Sequence, residues 1–261
     1  MEIKFHKYQG TGNDFIILDN RNSEYNTLTR DNVKKLCDRK FGIGADGLML
    51  LNNKEDYDFD MTYYNADGNE GSLCGNGSRC IIKFAWNTGM QKEHYVFTAA
   101  DGAHEATIDF DGIVSLKMKD VDTIQMHHSD YILNTGSPHF IRLAPDVMHL
   151  DVFKKGKEIR YSNEFAKEGI NVNFVEQLSE SDKIIVRTYE RGVENETLSC
   201  GTGVTAAALV CYHNENGFNE VEIQTPGGSL NVEFDRTADG TFTNIWLCGP
   251  AEKVFEGTVS I

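Results

Sequence analysis

One pattern of apolar and polar positions occurs twice in the chain. Cys80, Ile81, Phe84 and Ala85 fall at spacings that share one face of a helix, and "NTG" supplies a stop at Gly89. In the second half, Val204, Ala207, Ala208 and Cys211 repeat that spacing, with a stop expected at Gly217 in "NENG". The first helix is followed by the strand-like "HYVFTAADG" and the alternating "EATIDF", the second by "VEIQTPGG" and "LNVEFD". Upstream, "GTGNDFIILD" (10–19) parallels "NTGSPHFIRL" (134–143). A further amphipathic helix is expected from Thr29, its N-cap, to about Lys40.

These elements predict an α/β (α+β) chain of two homologous lobes. Each lobe has many short strands, mostly antiparallel because hairpin turns such as "FDGIV" and "PGGSL" join them. Each strand set is expected to form a sheet or barrel wrapped around one central helix. Periodicity lapses over 120–131, which puts the N-terminal lobe at 1–122 and the C-terminal lobe at 123–251. The last strand, about 252–261, is expected to return to the first lobe.

Composition narrows the partners. The 261 residues are 40% hydrophobic and 25% charged, ordinary values for a globular protein. With 25 basic against 40 acidic side chains the formal charge is −15, which argues against nucleic acid and against an anionic membrane. It reads as a solvated acidic surface. The opening "MEIKFHKYQG" lacks a signal-peptide apolar stretch, and no run approaches about 20 apolar residues, so a cytoplasmic location is expected. The sequence leaves monomer and homodimer both open.

Six cysteines in a chain of this size are no disulfide scaffold, and without a C-x-x-C pair no metal site is expected. Cys37, Cys80, Cys211 and Cys248 read as small buried hydrophobes. Cys74 and Cys200 are different. They lie 126 positions apart, and each opens a C-G-x-G immediately before a helix. The first backbone N–H groups of a helix lack intrahelical partners and carry partial positive charge, which favours a thiolate there. The same N–H groups can cradle a carboxylate, and the glycines allow close approach. Two such thiols, one to take a proton from a carbon and one to return it on the opposite face, would invert a stereocentre. The carboxylate held by the helix N-termini would be stabilised as carbanion character develops beside it.

Other uses of these motifs fit less well. A glycine-rich turn before a helix is often a phosphate loop, but neither copy ends in G-K-[ST]. A cysteine nucleophile with a histidine partner needs only one cysteine and leaves the second unexplained.

The chain closely resembles the diaminopimelate epimerase family along essentially its whole length. The resemblance is carried by "GTGNDF" (10–15), "FGIGADG" (41–47), "YYNADGNE" (63–70), "LCGNGSRC" (73–80), "GSPHF" (136–140), "GINVNF" (169–174), "YERG" (189–192), "SCGTG" (199–203) and "TPGGSL" (225–230). Each motif alone is weak, and nine in order are specific. The resemblance implies a cofactor-independent enzyme that interconverts L,L- and meso-diaminopimelate on the way to lysine and peptidoglycan, with no pyridoxal phosphate and no metal. It implies that Cys74 and Cys200 are the two bases. It assigns the carboxylate of the inverting centre to the backbone amides of Gly75, Asn76, Gly201 and Thr202, with Asn13 nearby. The distal, unreactive amino-acid end falls to Asn65, Asn171, Glu190 and Arg191, which suits a bidentate guanidinium and a carboxylate facing an ammonium. It gives His139 and Glu190 a role in tuning the thiols.

Two positions depart from the family pattern. Gly47 stands in "GADG" where the family has Gln in "GFDQ", and Ser137 stands where Asn in "GNPH" is common. Both positions lie near substrate in the family. Ser137 keeps a hydroxyl, whereas Gly47 has no side-chain donor and a water or a neighbour has to substitute. Proline racemase and hydroxyproline epimerase share the paired cysteines, but a ring amino acid would leave Arg191, Asn65 and Asn171 nothing to bind. A non-catalytic amino-acid binder ranks lower still, followed by a metal-binding module.

Overall fold

The computed structural model describes residues 1–71, 73–178 and 183–261. The chain forms two compact units, residues 1–116 with 249–261, and residues 117–248.

In the first unit the elements run β1 (Glu2–Gly10), β2 (Asn13–Asp19), α1 (Arg30–Cys37), β3 (Gly47–Asn52), β4 (Phe59–Asn65), α2 (Gly75–Asn87), β5 (His94–Ala99), β6 (Gly102–Ile108) and β7 (Val114–Lys117). Each strand from β1 to β7 pairs with the next, antiparallel except for β2–β3 and β4–β5, which are parallel. The second unit contains β8 (Gln125–His127), β9 (Asp130–Asn134), β10 (Pro138–Leu143), a single 3₁₀ turn (Val147–His149), α3 (Val152–Arg160), β11 (Asn171–Gln177), β12 (Lys183–Glu190), β13 (Asn195–Thr197), α4 (Gly201–Val210), β14 (Gly217–Thr225), β15 (Gly228–Arg236) and β16 (Phe242–Gly249). Here β9–β10, β11–β12, β14–β15 and β15–β16 are antiparallel, while β10–β11 and β12–β14 are parallel. The order of parallel and antiparallel pairs is thus the same in both units, as the repeated pattern predicts. The last strand, β17 (Glu252–Ser260), lies antiparallel to β1.

Each unit buries its sheet on two sides. In the first, α1 lies over Ile3, Phe5, Ile16, Leu18, Leu48 and Leu50 through Val33 and Leu36. The alternate residues of the same strands, Phe15 and Met49, meet α2. In the second, α3 covers a cluster of Phe140, Val172, Phe174 and Tyr189 through Val152, and α4 packs against β9, β10, β11, β12, β14 and β15. Helix α4 is apolar on every face and almost wholly buried, as a helix enclosed by strands must be.

Three expectations need correction. Helix α1 is capped by Thr29, in a reciprocal bond with Asn32, but ends at Cys37 rather than near Lys40. There the Asp38 carboxylate accepts from the amides of Lys40 and Phe41 and turns the chain. Helix α4 ends at Val210, not at Gly217; Cys211 is its C-cap, and Gly217 opens β14. The stretch 120–131 is not irregular throughout, because it holds the short β8–β9 hairpin. Helix α3 was not anticipated. Its sequence, "VFKKGKEIR", is polar with a glycine inside, and only packing explains it: a Cβ on Gly156 would lie 2.3 Å from Tyr189 Cβ. Among the described residues no helix is long and apolar enough to cross a membrane.

Candidate active site

The residues expected at the site fall into two groups, one in each unit. In the first unit, the parallel register of β2 and β3 sets Phe15 opposite Gly47, and the antiparallel register of β3 and β4 sets Gly47 opposite Asn65. The start of β2, the start of β3 and the end of β4 therefore share one edge, which collects Asn13, Gly47 and Asn65. Cys74 is the N-cap of α2, extended at φ −110° and ψ 117°, and its side chain makes no capping bond to the helix. Its Sγ lies 3.6 Å from Asn13 Oδ1.

The direction of that bond follows from the far side of the amide. Asn13 Nδ2 donates to Asp46 Oδ2 at 2.6 Å, which turns the Asn13 carbonyl oxygen toward the thiol. Cys74 is then the donor in this contact. Asp46 is itself held. Arg39 bridges Asp14 and Asp46 at 2.6 and 2.7 Å, and the backbone amides of Asp14 and Asp46 each donate to the other's carboxylate. Buried Lys7 meets Asp14 at 2.7 Å and donates to the Gly44 carbonyl. Burial opposes ionisation of Asp14, but the bonds from Arg39 and Lys7 prevail and bring its carboxyl down to about 2.

Within the first turn of α2, buried Arg79 donates to Thr11 Oγ1 at 2.7 Å and to Asn76 Oδ1 at 3.1 Å, with a longer bond to the Gly75 carbonyl at 3.4 Å. The side-chain oxygen of Asn76 is thus committed inside the protein. Asn65 is exposed and reaches the Asn69 carbonyl at 3.5 Å.

In the second unit Cys200 caps α4 with nearly the same backbone, φ −122° and ψ 110°. Its Sγ lies 3.6 Å from Thr202 Oγ1, and His139 Nε2 lies 2.9 Å from the same hydroxyl. His139 Nδ1 faces Asn173 Nδ2 at 3.1 Å. Asn173 is fixed from both ends: its Nδ2 also donates to the Phe140 carbonyl, and its Oδ1 accepts from Thr188 Oγ1 at 2.8 Å. An amide nitrogen only donates, so His139 Nδ1 accepts and Nε2 carries the ring proton. Nε2–H then donates to Thr202, whose own proton can be given to Cys200 Sγ. A donor aimed at sulfur favours the thiolate.

His139 is fully buried. Burial first, and the positive charge of Arg191 second, push its pKa down to about 3, so it acts through its tautomer and not through its charge. The approach of Asn173 requires Gly203, where a Cβ would lie 2.4 Å from Asn173 Oδ1.

A second cluster in this unit joins Ser137, Asn171 and Arg191. Asn171 Nδ2 donates to Ser137 Oγ at 2.9 Å and Arg191 Nη2 to the same oxygen at 3.2 Å, while the Arg191 amide donates to Asn171 Oδ1 at 2.9 Å. The Ser137 oxygen thus accepts twice, and its O–H remains to donate. Arg191 Nη1 is braced on the Glu168 carbonyl, and Glu190 Oε2 accepts from Thr197 Oγ1 at 2.9 Å.

The other cysteines are buried and in no disulfide, and burial pushes the thiols of Cys37 and Cys211 up to about 12 and that of Cys80 up as well. Among the described residues no three His, Cys, Asp or Glu side chains are placed to hold a metal ion.

The sequence reading missed Asp46, Arg79, Asn173 and Thr188. Asp46 and Arg79 sit inside motifs already singled out. Asn173 stands two residues from Asn171, on the same face of a strand, and that alternation was a usable signal. Thr188 gave none, because its partner is brought to it only by the pairing of β11 with β12.

The chain is similar to known proteins from end to end. A family model described as diaminopimelate epimerase matches residues 5–124 and 131–254. A diaminopimelate epimerase of Flavobacterium psychrophilum is 48% identical over 258 residues, covering 98% of this chain and 100% of that one. Its counterpart from Chlorobaculum tepidum is 40% identical, covering 97% and 99%. Among solved structures, a phenazine biosynthesis protein of the PhzF family from Bacillus anthracis superposes with a TM-score of 0.77 over the whole of both chains at 16% identity. A hydroxyproline epimerase from Agrobacterium vitis superposes at 0.68 and 12% identity, covering all of this chain and 93% of that one. At such identities the structural likeness concerns the fold alone. With both halves of the chain matched by one family and relatives aligned from end to end, this chain belongs to the diaminopimelate epimerase family.

Proposed function

We propose that the protein interconverts L,L- and meso-diaminopimelate by proton transfer at the α-carbon between two thiols, Cys74 and Cys200, as a cytoplasmic step toward lysine and peptidoglycan precursors. The observation that carries this is a cysteine at the N-cap of the central helix of each unit, Cys74 beside an amide oxygen and Cys200 beside a threonine hydroxyl. Inversion needs one group that takes a proton and another that gives one. A resting thiolate at Cys200, stabilised by Thr202, and a resting thiol at Cys74, held by Asn13, are that pair. The first-turn amides of Gly75, Asn76, Gly201 and Thr202 are the proposed donors to the α-carboxylate, where they would offset negative charge as the proton leaves. Asn65, Asn171, Glu190 and Arg191 are the proposed holders of the distal amino-acid group, with Ser137 oriented by Asn171 and Arg191. No cofactor takes part in this scheme.

Proton NMR of L,L-diaminopimelate in D₂O under a thiol reductant tests it. Deuterium should enter at the α-carbon together with meso product, and Cys74→Ala and Cys200→Ala should each slow this by about 10²–10⁴-fold. Wild type giving neither exchange nor inversion would defeat the proposal.

A further inference from the structure

In the second unit, the turn that carries Arg191 is fastened to helix α3 by one carboxylate. Residues 191–194 join β12 to β13, whose pairing sets Glu190 opposite Asn195. A short hairpin loop at the surface has little of its own to hold it. Here the Glu194 amide donates to the Glu190 carbonyl at 2.8 Å and closes the loop. Glu194 adopts φ 56°, in the left-handed region where glycine fits more easily, so its side chain has to account for its place. That side chain turns back over the loop. Its Oε1 accepts from the Gly192 amide at 3.1 Å and meets Arg160 Nη2 at 3.2 Å, and its Oε2 accepts from the Tyr189 hydroxyl at 3.3 Å. Burial opposes ionisation of this carboxyl, but the bonds from Gly192 and Tyr161, the charge of Arg160 and the bond from Tyr189 prevail and hold it below the usual carboxylate range. Arg160, the last residue of α3, leads on to Arg191. A Cβ on Gly169 would lie 2.7 Å from both Arg160 Cζ and Arg191 Cδ, so the two side chains share the space above that glycine. Two like-charged side chains so placed repel each other, and Glu194 neutralises one of them.

We propose that Glu194 is a positioning residue for the site: by tying the β12–β13 turn to Arg160 and Tyr189, and by offsetting the charge of Arg160, it holds Arg191 in the direction from which its guanidinium bonds the distal carboxylate of the substrate. This rests on the epimerase function proposed above. Glu194 acts through Arg191 and not on the substrate itself. Its contribution is preorganisation, because the turn is ordered on folding and little of that ordering is left to be met on binding. The distal carboxylate lies at the unreactive end of the substrate, so the interaction is the same in the ground state and the transition state, and its loss falls on KM and spares kcat.

Steady-state epimerisation by Glu194→Gln tests the carboxylate with little change of shape. KM for diaminopimelate should rise about tenfold, with kcat within about twofold. The same change made in Arg191→Ala should lower kcat/KM by no more than about a further twofold, because Glu194 has nothing left to position. A merely structural role would give the same loss in both backgrounds. Should Glu194→Gln fail to fold, as read by its Tm, Arg160→Met removes the ion pair from the helix side and is judged by the same two measurements. Wild-type KM in the variant, or an equal loss with and without Arg191, overturns the role of Glu194 and leaves the epimerase proposal standing. No α-hydrogen exchange in wild type overturns both.

Discussion

Cys74 and Cys200 leave the backbone alike and enter different surroundings. Each caps its central helix at extended dihedrals within about 12° of the other's, and each is followed by a glycine in the first turn. Around Cys74 the neighbouring amide is set by an ionic lattice of Lys7, Asp14, Arg39 and Asp46. Around Cys200 the neighbouring hydroxyl is set by an uncharged chain, Thr188 to Asn173 to His139 to Thr202. The helix position that carries Arg79 in the first unit carries Thr205 in the second, and both donate to the carbonyl four residues back. A duplicated backbone thus supplies two similarly placed thiols, and their partners differ. The general lesson is that a helix N-terminus makes a thiol acidic, while the direction of one hydrogen bond sets the proton's resting place.

That contrast can be broken at its strongest point with Thr202→Val, which removes the donor to Cys200. The pH midpoint for alkylation of Cys200, followed by mass spectrometry with iodoacetamide, should rise by about one to two units, and kcat/KM should fall roughly 10–100-fold, with Cys74 unmoved. If the two cysteines of wild type alkylate with the same midpoint, the asymmetry is wrong. A smaller effect is expected from Asp46→Asn, which frees the Asn13 amide to turn its nitrogen toward Cys74. The Cys74 midpoint should then drop while that of Cys200 stays, and activity should fall roughly two- to tenfold. An unchanged Cys74 midpoint would show that Asp46 does not orient Asn13.

The smallest effect concerns stability. His139 is buried neutral with its pKa at about 3, whereas an unfolded histidine titrates near 6.5. Between those values the unfolded chain binds a proton that the folded chain does not, so stability rises with pH through this window and is flat above it. The slope from this one group is about 1.4 kcal/mol per pH unit, and His139→Gln should remove it. Urea denaturation of both proteins at a series of pH values from 4 to 7 checks this. Parallel curves would mean that His139 is protonated in the folded state.

Much of the fold was legible because it depends on local period. The helices after Cys74 and Cys200, the hairpins at "FDGIV" and "PGGSL", and the Thr29 cap each lie within a window of a few residues. Elements that depend on distant partners were not legible. Helix α3 exists because Gly156 admits Tyr189, and α4 stops at Val210 because the strand opening at Gly217 needs a preceding turn, in which Asn219 accepts from the amides of His213 and Asn214. The site divides in the same way. Repetition alone singled out the two cysteines and their first-turn amides, since no packing requirement calls for the same C-G-x-G twice. Their supporting shell was hidden. Asp46, Asn173 and Thr188 are ordinary polar residues until pairing of β2 with β3, and of β11 with both β10 and β12, carries them to the thiols.

By itself, then, the sequence determined the duplication, the central helices and the cysteines that cap them, because period-3.6 patterns, glycine spacing and helix termini are properties of a short segment. Only the tertiary structure decided that Cys74 meets the amide oxygen of Asn13 and Cys200 the hydroxyl of Thr202, and that Tyr189 stands over Gly156. Hydrogen-bond direction and side-chain occupancy depend on groups that lie tens of residues apart and meet only when the strands pair.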